Sequence, residues 1–455
     1  MLSTRRVVLA LSPLAVLLAG SSALAQDASR MDQVVSASEN ERQFMGAALV
    51  AVGDDILLDK GFGSADLEWQ IANTPDTKFR IGSVTKQFTA AAILLLQERG
   101  QLDIDQPVGT YLSETPASWD GVTLRHLLHH TSGIPNLTSF DEFGTWKYLP
   151  TTRDEIIGRF ADKPLEFEPG EKWSYSNSGY LLLSAVVEEV GGKPYGEFVA
   201  ENIFAPLGME DTAIDSTEAI VPRRAEGYSP SESGIVNADY VNMRIPQGAG
   251  ALYSTTHDLL KWQRGLFGGK VLSKASMEEY LTAAPLETGR NGRYALGVIE
   301  TIDEDGKLYW HGGGIEGFNA WLGHDPDREI TVVVLANLNG RAPNDLGLSL
   351  VDLARGGEVT LADERATVDL TPEQLAEYAG SYAISDTFKL SFRVEDGALV
   401  TQATGQDPFP VFAEGPDRFF LKVVDAQLVF NRDDAGDIDS VTLTQGGNQT
   451  RAMRE

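Results

Sequence analysis

Ser83 and Lys86 stand three residues apart at the head of the segment FRIGSVTKQFTAAAILLLQERG, residues 79–100. Side chains at this spacing share one face of a helix and can meet. Unpaired backbone N–H groups at a helix N-terminus also favour developing negative charge there. The shared face continues through Ala90, Ile93 and Leu94, and no polar residue occurs from Ala90 to Leu96. This composition predicts a helix buried on every side. A lysine in such a helix loses hydration, which lowers its pKa toward the neutral amine. The amine can then remove the proton of a serine hydroxyl and create a nucleophile. In the competing reading Ser83 only caps the helix and Lys86 reaches out to water. No second S-x-x-K occurs in the chain.

Two further motifs favour chemistry. FEPGEKWSYSNSGY (167–180) places Tyr175 and Asn177 just before an apolar helical pattern. A phenol beside a cationic lysine can shuttle protons, and a carboxamide offers both a donor and an acceptor to a substrate amide or ester. Tyr240 and Asn242 repeat the Tyr-x-Asn spacing but lack the Pro-Gly approach. In WHGGGIEGF (310–318), His311 is followed by Gly312, Gly313 and Gly314. Glycines at a strand let a substrate approach the backbone, whose N–H groups can hold an oxyanion. The plain alternative is a bulged strand with an incidental histidine.

These residues need a scaffold to bring them together. Residues 44–66 read as a hairpin around Gly53-Asp54-Asp55. The 79–100 helix follows, with Gly100 at its C-terminal cap. Further helices are expected at 123–130, 179–192 and 195–208, strands return between 309 and 338, and 345–357 closes with a helix. The fold class is therefore α+β: an antiparallel sheet whose first and last strands meet, flanked by helices, with an inserted helical region. Residues 358–371 break the pattern and read as a linker. Short strands from 372 to 455 predict a small all-β, barrel-like domain.

In order and spacing the three motifs resemble those of the serine β-lactamase and penicillin-binding-protein superfamily, nearest its class C and family VIII esterase-like branch. The resemblance extends through TLRHLLHHTSGIP (123–135) and GAGALYSTTHDLLKW (248–262), over roughly residues 40–355. The tail, with LAEYAGSY (375–382) and DRFFLK (417–422), is similar to lipocalin-like β-barrels. The resemblance implies that Ser83 is acylated, Lys86 is its base, and Tyr175 protonates the leaving group and later activates water. It further implies that Asn177 orients the substrate, that the N–H groups of Ser83 and Gly314 form the oxyanion hole beside Gly313, and that His311 lines the pocket. Family members that cleave antibiotics generally carry Lys-Thr-Gly where this chain has His311. An unperturbed histidine is mostly neutral at pH 7, which weakens carboxylate recognition. Hydrolysis of an ester or a D-amino-acid-type amide is expected; β-lactamase or DD-peptidase activity is the alternative, and a non-catalytic binding or assembly role stands as the reading of another class. No cofactor is implied.

Composition narrows the rest. The formal charge of −29 argues against nucleic acid and anionic membrane surfaces as partners, leaving a small-molecule or peptide substrate. There is no cysteine, hence no disulfide or thiolate nucleophile. G-x-S-x-G is absent, against an α/β-hydrolase. His126, His129 and His130 have a spacing that could gather zinc, yet no acidic ligand accompanies them, and no metal is expected. Residues 1–25 read as a signal peptide: Arg5 and Arg6, an apolar stretch, then Ala-Leu-Ala before Gln26. The mature chain, 26–357 plus linker and barrel, is expected in the periplasm or secreted, without a membrane span. The sequence carries no signal for an oligomeric state.

Overall fold

The computed structural model describes residues 28–455, apart from 287–291, 386, 423–425 and 446–447. The expected signal peptide thus lies outside the described residues. Seven strands form one antiparallel sheet: β1 (Gly46–Val52), β2 (Asp55–Phe62), β3 (Arg293–Tyr294), β4 (Ile299–Asp303), β5 (Gly306–Ile315), β6 (Phe318–Asp325) and β7 (Ile330–Ala336). Their order is β3-β4-β5-β6-β7-β1-β2. The first and last strands do meet, with Gly46 opposite Ala336 and Val52 opposite Ile330.

The central strands are apolar on both faces because both faces are covered. Side chains alternate along a strand, so Ala48 and Val50 of β1 and Val332 and Val334 of β7 point to one side. There they pack on α1 (28–40), through Met31 and Val35, and on the later helix 342–354, through Leu346 and Leu350. Ala47, Leu49, Val333 and Leu335 point to the other side and join the larger core. That core holds α2 (Thr85–Glu98), α3 (Asn177–Gly191) and α4 (Thr256–Phe267); the helix across the sheet is α5 (Ala342–Ala354). From Thr85 to Leu96 every residue of α2 is buried. Its chain reverses at Gly100, in the left-handed conformation expected of a C-terminal cap. The helix expected at 195–208 is divided: Tyr195–Val199 and Ala205–Leu207 flank a π-helical turn, Ala200–Phe204. Pro206 lacks the N–H that would continue the regular ladder.

Residues 358–370 are without regular structure but are held at both ends. Arg30 of α1 binds Glu364 and the Val359 carbonyl, and the Val368 N–H donates to the Ala413 carbonyl. Eight strands, from Gly380–Ser385 to Asn448–Arg454, then close into a barrel. Tyr382, Phe392, Phe419 and Phe430 fill its interior edge to face. Such tilted aromatic pairs favour the ring quadrupoles and leave a packed core.

Candidate active site

Ser83 lies in a single 3-10 turn, Gly82–Val84, that runs directly into α2. The turn is pressed against β5. Gly82 has φ +50°, and a Cβ there would sit 2.7 Å from the Gly314 nitrogen. A Cβ on Gly313 would sit 2.0 Å from the Ile81 carbonyl oxygen. Only glycine permits this approach, and it puts the Gly314 backbone beside the serine.

Lys86, the second residue of α2, is 0% exposed. Its Nζ lies 3.0 Å from Ser83 Oγ, 2.8 Å from Asn177 Oδ1 and 2.7 Å from the Ala249 carbonyl. Burial holds its pKa well below the ordinary lysine value. The neutral amine fits this set of neighbours atom by atom. Asn177 Oδ1 and the Ala249 carbonyl can only accept, and they use its two protons. The lone pair is left for the Ser83 hydroxyl. On the other side of Ser83, the Tyr175 hydroxyl donates to Oγ at 2.7 Å. Oγ therefore accepts from the phenol and donates to the amine, the arrangement a nucleophile needs before losing its proton. The faces of Tyr175 and Tyr180 lie 4.8 and 5.4 Å from Nζ and can receive an ammonium once that proton arrives.

Ser83, Asn177 and Gly314 line a cleft of about 440 Å³. Leu137, Phe143, Leu181, Val241, Ile245 and Ile315 make most of its wall, with Thr138, Glu316 and Asn339 as polar points. The segments 136–152 and 223–247 thus shape the cleft.

A family profile described as Beta-lactamase matches residues 31–355. The chain belongs to this family of serine hydrolases. A second profile, described as a domain of unknown function (DUF3471), matches residues 364–453, the barrel. Over 442 residues the chain is 28% identical to penicillin-binding protein 4* of Bacillus subtilis, covering 91% of this chain and 96% of the other. Among solved structures, the octameric penicillin-binding protein homologue from Pyrococcus abyssi is 27% identical with a TM-score of 0.67, over 94% of this chain and 99% of that one. The D-amino acid amidase from Ochrobactrum anthropi SV3 is 25% identical with a TM-score of 0.63, over 72% and 99%.

Within this family fold, two of the predicted side chains, Lys86 and Tyr175, meet Ser83, and Asn177 binds Lys86 and lines the same cleft. His311 stands beside Tyr175, with ring centroids 6.3 Å apart. It is 4% exposed, with Nε2 2.8 Å from the Tyr294 hydroxyl and Nδ1 2.6 Å from the Gly312 carbonyl. Both ring nitrogens are thus engaged in bracing the glycine strand. Gly313 likewise serves as the close contact, while Gly314 faces the cleft. The three zinc candidates diverge: His126 caps the helix Leu124–Leu128, His129 meets the Tyr294 carbonyl, and His130 packs against Tyr175. Among the described residues no group of three or more His, Cys, Asp or Glu could hold a metal ion. Tyr240 is exposed, and Asn242 is spent on the Leu149 carbonyl. Sequence reasoning missed Ala249, whose contribution is a main-chain carbonyl, and Asn136 and Thr138, which orient Asn177 through its N–H and its side-chain amide.

Two predictions follow from this packing. Unfolded, Lys86 keeps its proton up to about its ordinary pKa of 10.5, whereas folded it releases it earlier. The unfolded state then binds more protons, so this residue's contribution to stability improves as pH rises and levels off above that value. In urea titrations, the stability of Lys86→Met relative to wild type should fall by about 1.4 kcal/mol per pH unit between the folded and unfolded pKa values. A difference independent of pH throughout the alkaline range would mean an ionised lysine in the folded protein. Separately, Gly313→Ala must push the nucleophile's turn off β5. It should lower stability by about 1–3 kcal/mol in thermal melts and cut the turnover of a p-nitrophenyl ester by about 100-fold.

Proposed function

We propose that the protein is an exported serine hydrolase that forms an acyl-enzyme on Ser83 and cleaves an ester or a D-amino-acid-type amide. The observation that carries this reading is the placement of Ser83 Oγ between a phenol at 2.7 Å and a buried amine at 3.0 Å. Ser83 attacks the acyl carbon as its proton passes to Lys86. The N–H groups of Ser83 and Gly314 hold the oxyanion. Tyr175 protonates the departing amine or alkoxide and is left as a phenolate beside the Lys86 ammonium. The phenolate takes a proton from water, whose oxygen attacks the acyl ester. Collapse releases the acid, and Lys86 returns the proton to Ser83. Every group ends as it began, and no cofactor enters. The D-amino acid amidase among the similar structures supports the amide half of this proposal.

The cleft wall supports an apolar acyl group without a carboxylate. Among the described lining residues none is Lys or Arg, and Glu316 is acidic. Glu316 binds Lys147, which also reaches Asp239, so this rim holds two carboxylates for one cation. A β-lactam or a peptide terminus would bring a third.

Ser83→Ala should abolish turnover of p-nitrophenyl esters and D-alanyl p-nitroanilide, and should remove the mass adduct left by an acylating probe, with an unchanged melting temperature. Persistent turnover in that variant overturns the assignment. Glu316→Gln should raise kcat/KM for benzylpenicillin relative to p-nitrophenyl butyrate by about 3- to 10-fold, as one repelling charge is removed. An unchanged ratio would remove Glu316 from substrate selection.

A further inference from the structure

His130 is buried to 1% exposure next to Tyr175, and the mechanism above assigns it nothing. Its backbone is in the left-handed region at φ +60°, which costs a non-glycine residue stability. That conformation turns both of its acceptors toward one short stretch of chain. The His130 carbonyl accepts from the Ser174 N–H at 2.9 Å, and its Nδ1 accepts from the Ser176 N–H at 3.2 Å. The two residues flanking Tyr175 are therefore both tied to His130. Between these ties the imidazole lies against the phenol ring, with centroids 4.3 Å apart.

The acceptor role fixes the tautomer. Nδ1 must be bare, so the proton of a neutral ring sits on Nε2, an atom with no hydrogen-bond partner among the described residues. Tyr294, Tyr180 and Trp173 surround the ring at 4.5, 5.1 and 6.2 Å. Burial, with smaller contributions from Lys86, His311 and His129, keeps the imidazole well below its ordinary pKa and hence neutral. A left-handed backbone and an unpartnered buried N–H both work against stability. Such costs persist where the geometry they enforce is used.

We infer that His130 is the positioning residue for Tyr175, clamping the chain on either side of the phenol so that its hydroxyl meets Ser83 Oγ. The inference rests on the proton-transfer role proposed for Tyr175. Displacing a catalytic group by about 1 Å can cost about 100-fold in rate.

The test compares two substitutions. His130→Phe keeps an aromatic ring but loses the Nδ1 acceptor. His130→Asn tolerates the left-handed backbone and presents Oδ1 where Nδ1 stood. The expected result for His130→Phe is a kcat for p-nitrophenyl ester hydrolysis about 10- to 100-fold below wild type, with KM within about 3-fold. His130→Asn should recover most of that loss. In a Tyr175→Phe background, His130→Phe should lower kcat no further, because the group it positions is gone. Equal losses in both variants, a loss confined to KM, or additive losses in the double variant would overturn the inference. If His130→Phe does not fold, 15N spectra of histidine-labelled wild-type protein decide, with the signal assigned by its absence in His130→Asn. A bare Nδ1 with a protonated Nε2 sustains the clamp; a protonated Nδ1 overturns it. Turnover surviving Ser83→Ala would instead overturn the serine mechanism, and the tautomer would still read out His130 independently.

Discussion

The complete burial of Lys86 is the constraint on which the rest of the molecule depends. An exposed lysine is protonated at neutral pH and cannot act as a base. Keeping the amine neutral requires that every side of α2 be covered, and the fold is arranged to do this. α3 and the turn carrying Ala249 lie on one side, the helices Lys274–Tyr280 and Tyr195–Val199 on others, α4 closes on α2 through Trp262 against Phe88 and Gln87, and the turn just before α2 rests on the sheet. What would be a costly buried polar group elsewhere is matched here by two obligate acceptors and one hydroxyl. This satisfies the amine without supplying an anion that would restore its charge.

The same constraint explains the backbone around it. A serine nucleophile also needs donors for the negative charge that its attack creates. Main-chain N–H groups meet that requirement. They reach Ser83 only because Gly82 and Gly313 let two segments touch without intervening side chains. His311 then contributes to shape: its ring holds the Gly312 carbonyl, and the Tyr294 hydroxyl holds the ring.

Legibility in the sequence followed the range of the interaction. The Ser83–Lys86 pair was readable because three residues on a helix fix its geometry locally. The burial of α2 was readable from its unbroken apolar run, and the meeting of β1 with β7 from apolar strands at both ends of the α+β unit. Tyr175 and Asn177 were readable as types with suitable chemistry, but their meeting with Ser83 and Lys86, respectively, depends on tertiary packing. The Ala249 carbonyl had no signature, since every residue has one. The hydrogen bond between His311 and Tyr294 joins strands that are not adjacent in the sheet, so nothing local in the sequence points to it. The left-handed turn at His130 runs against the residue's own preference, so no local rule could announce it.

The pairing of β1 with β7 also sets an order of events during folding. Gly46 is matched with Ala336, 290 residues further along the chain. Contacts of such separation close late and slowly, because the intervening chain must be gathered first. The segment bearing Ser83 and Lys86 is made early, but β5, β6 and β7 are made long afterward. Until those strands arrive, the turn bearing Ser83 has no strand to lie against. On the mechanism proposed above, the Gly314 N–H then comes to stand beside Ser83 only when the sheet is complete.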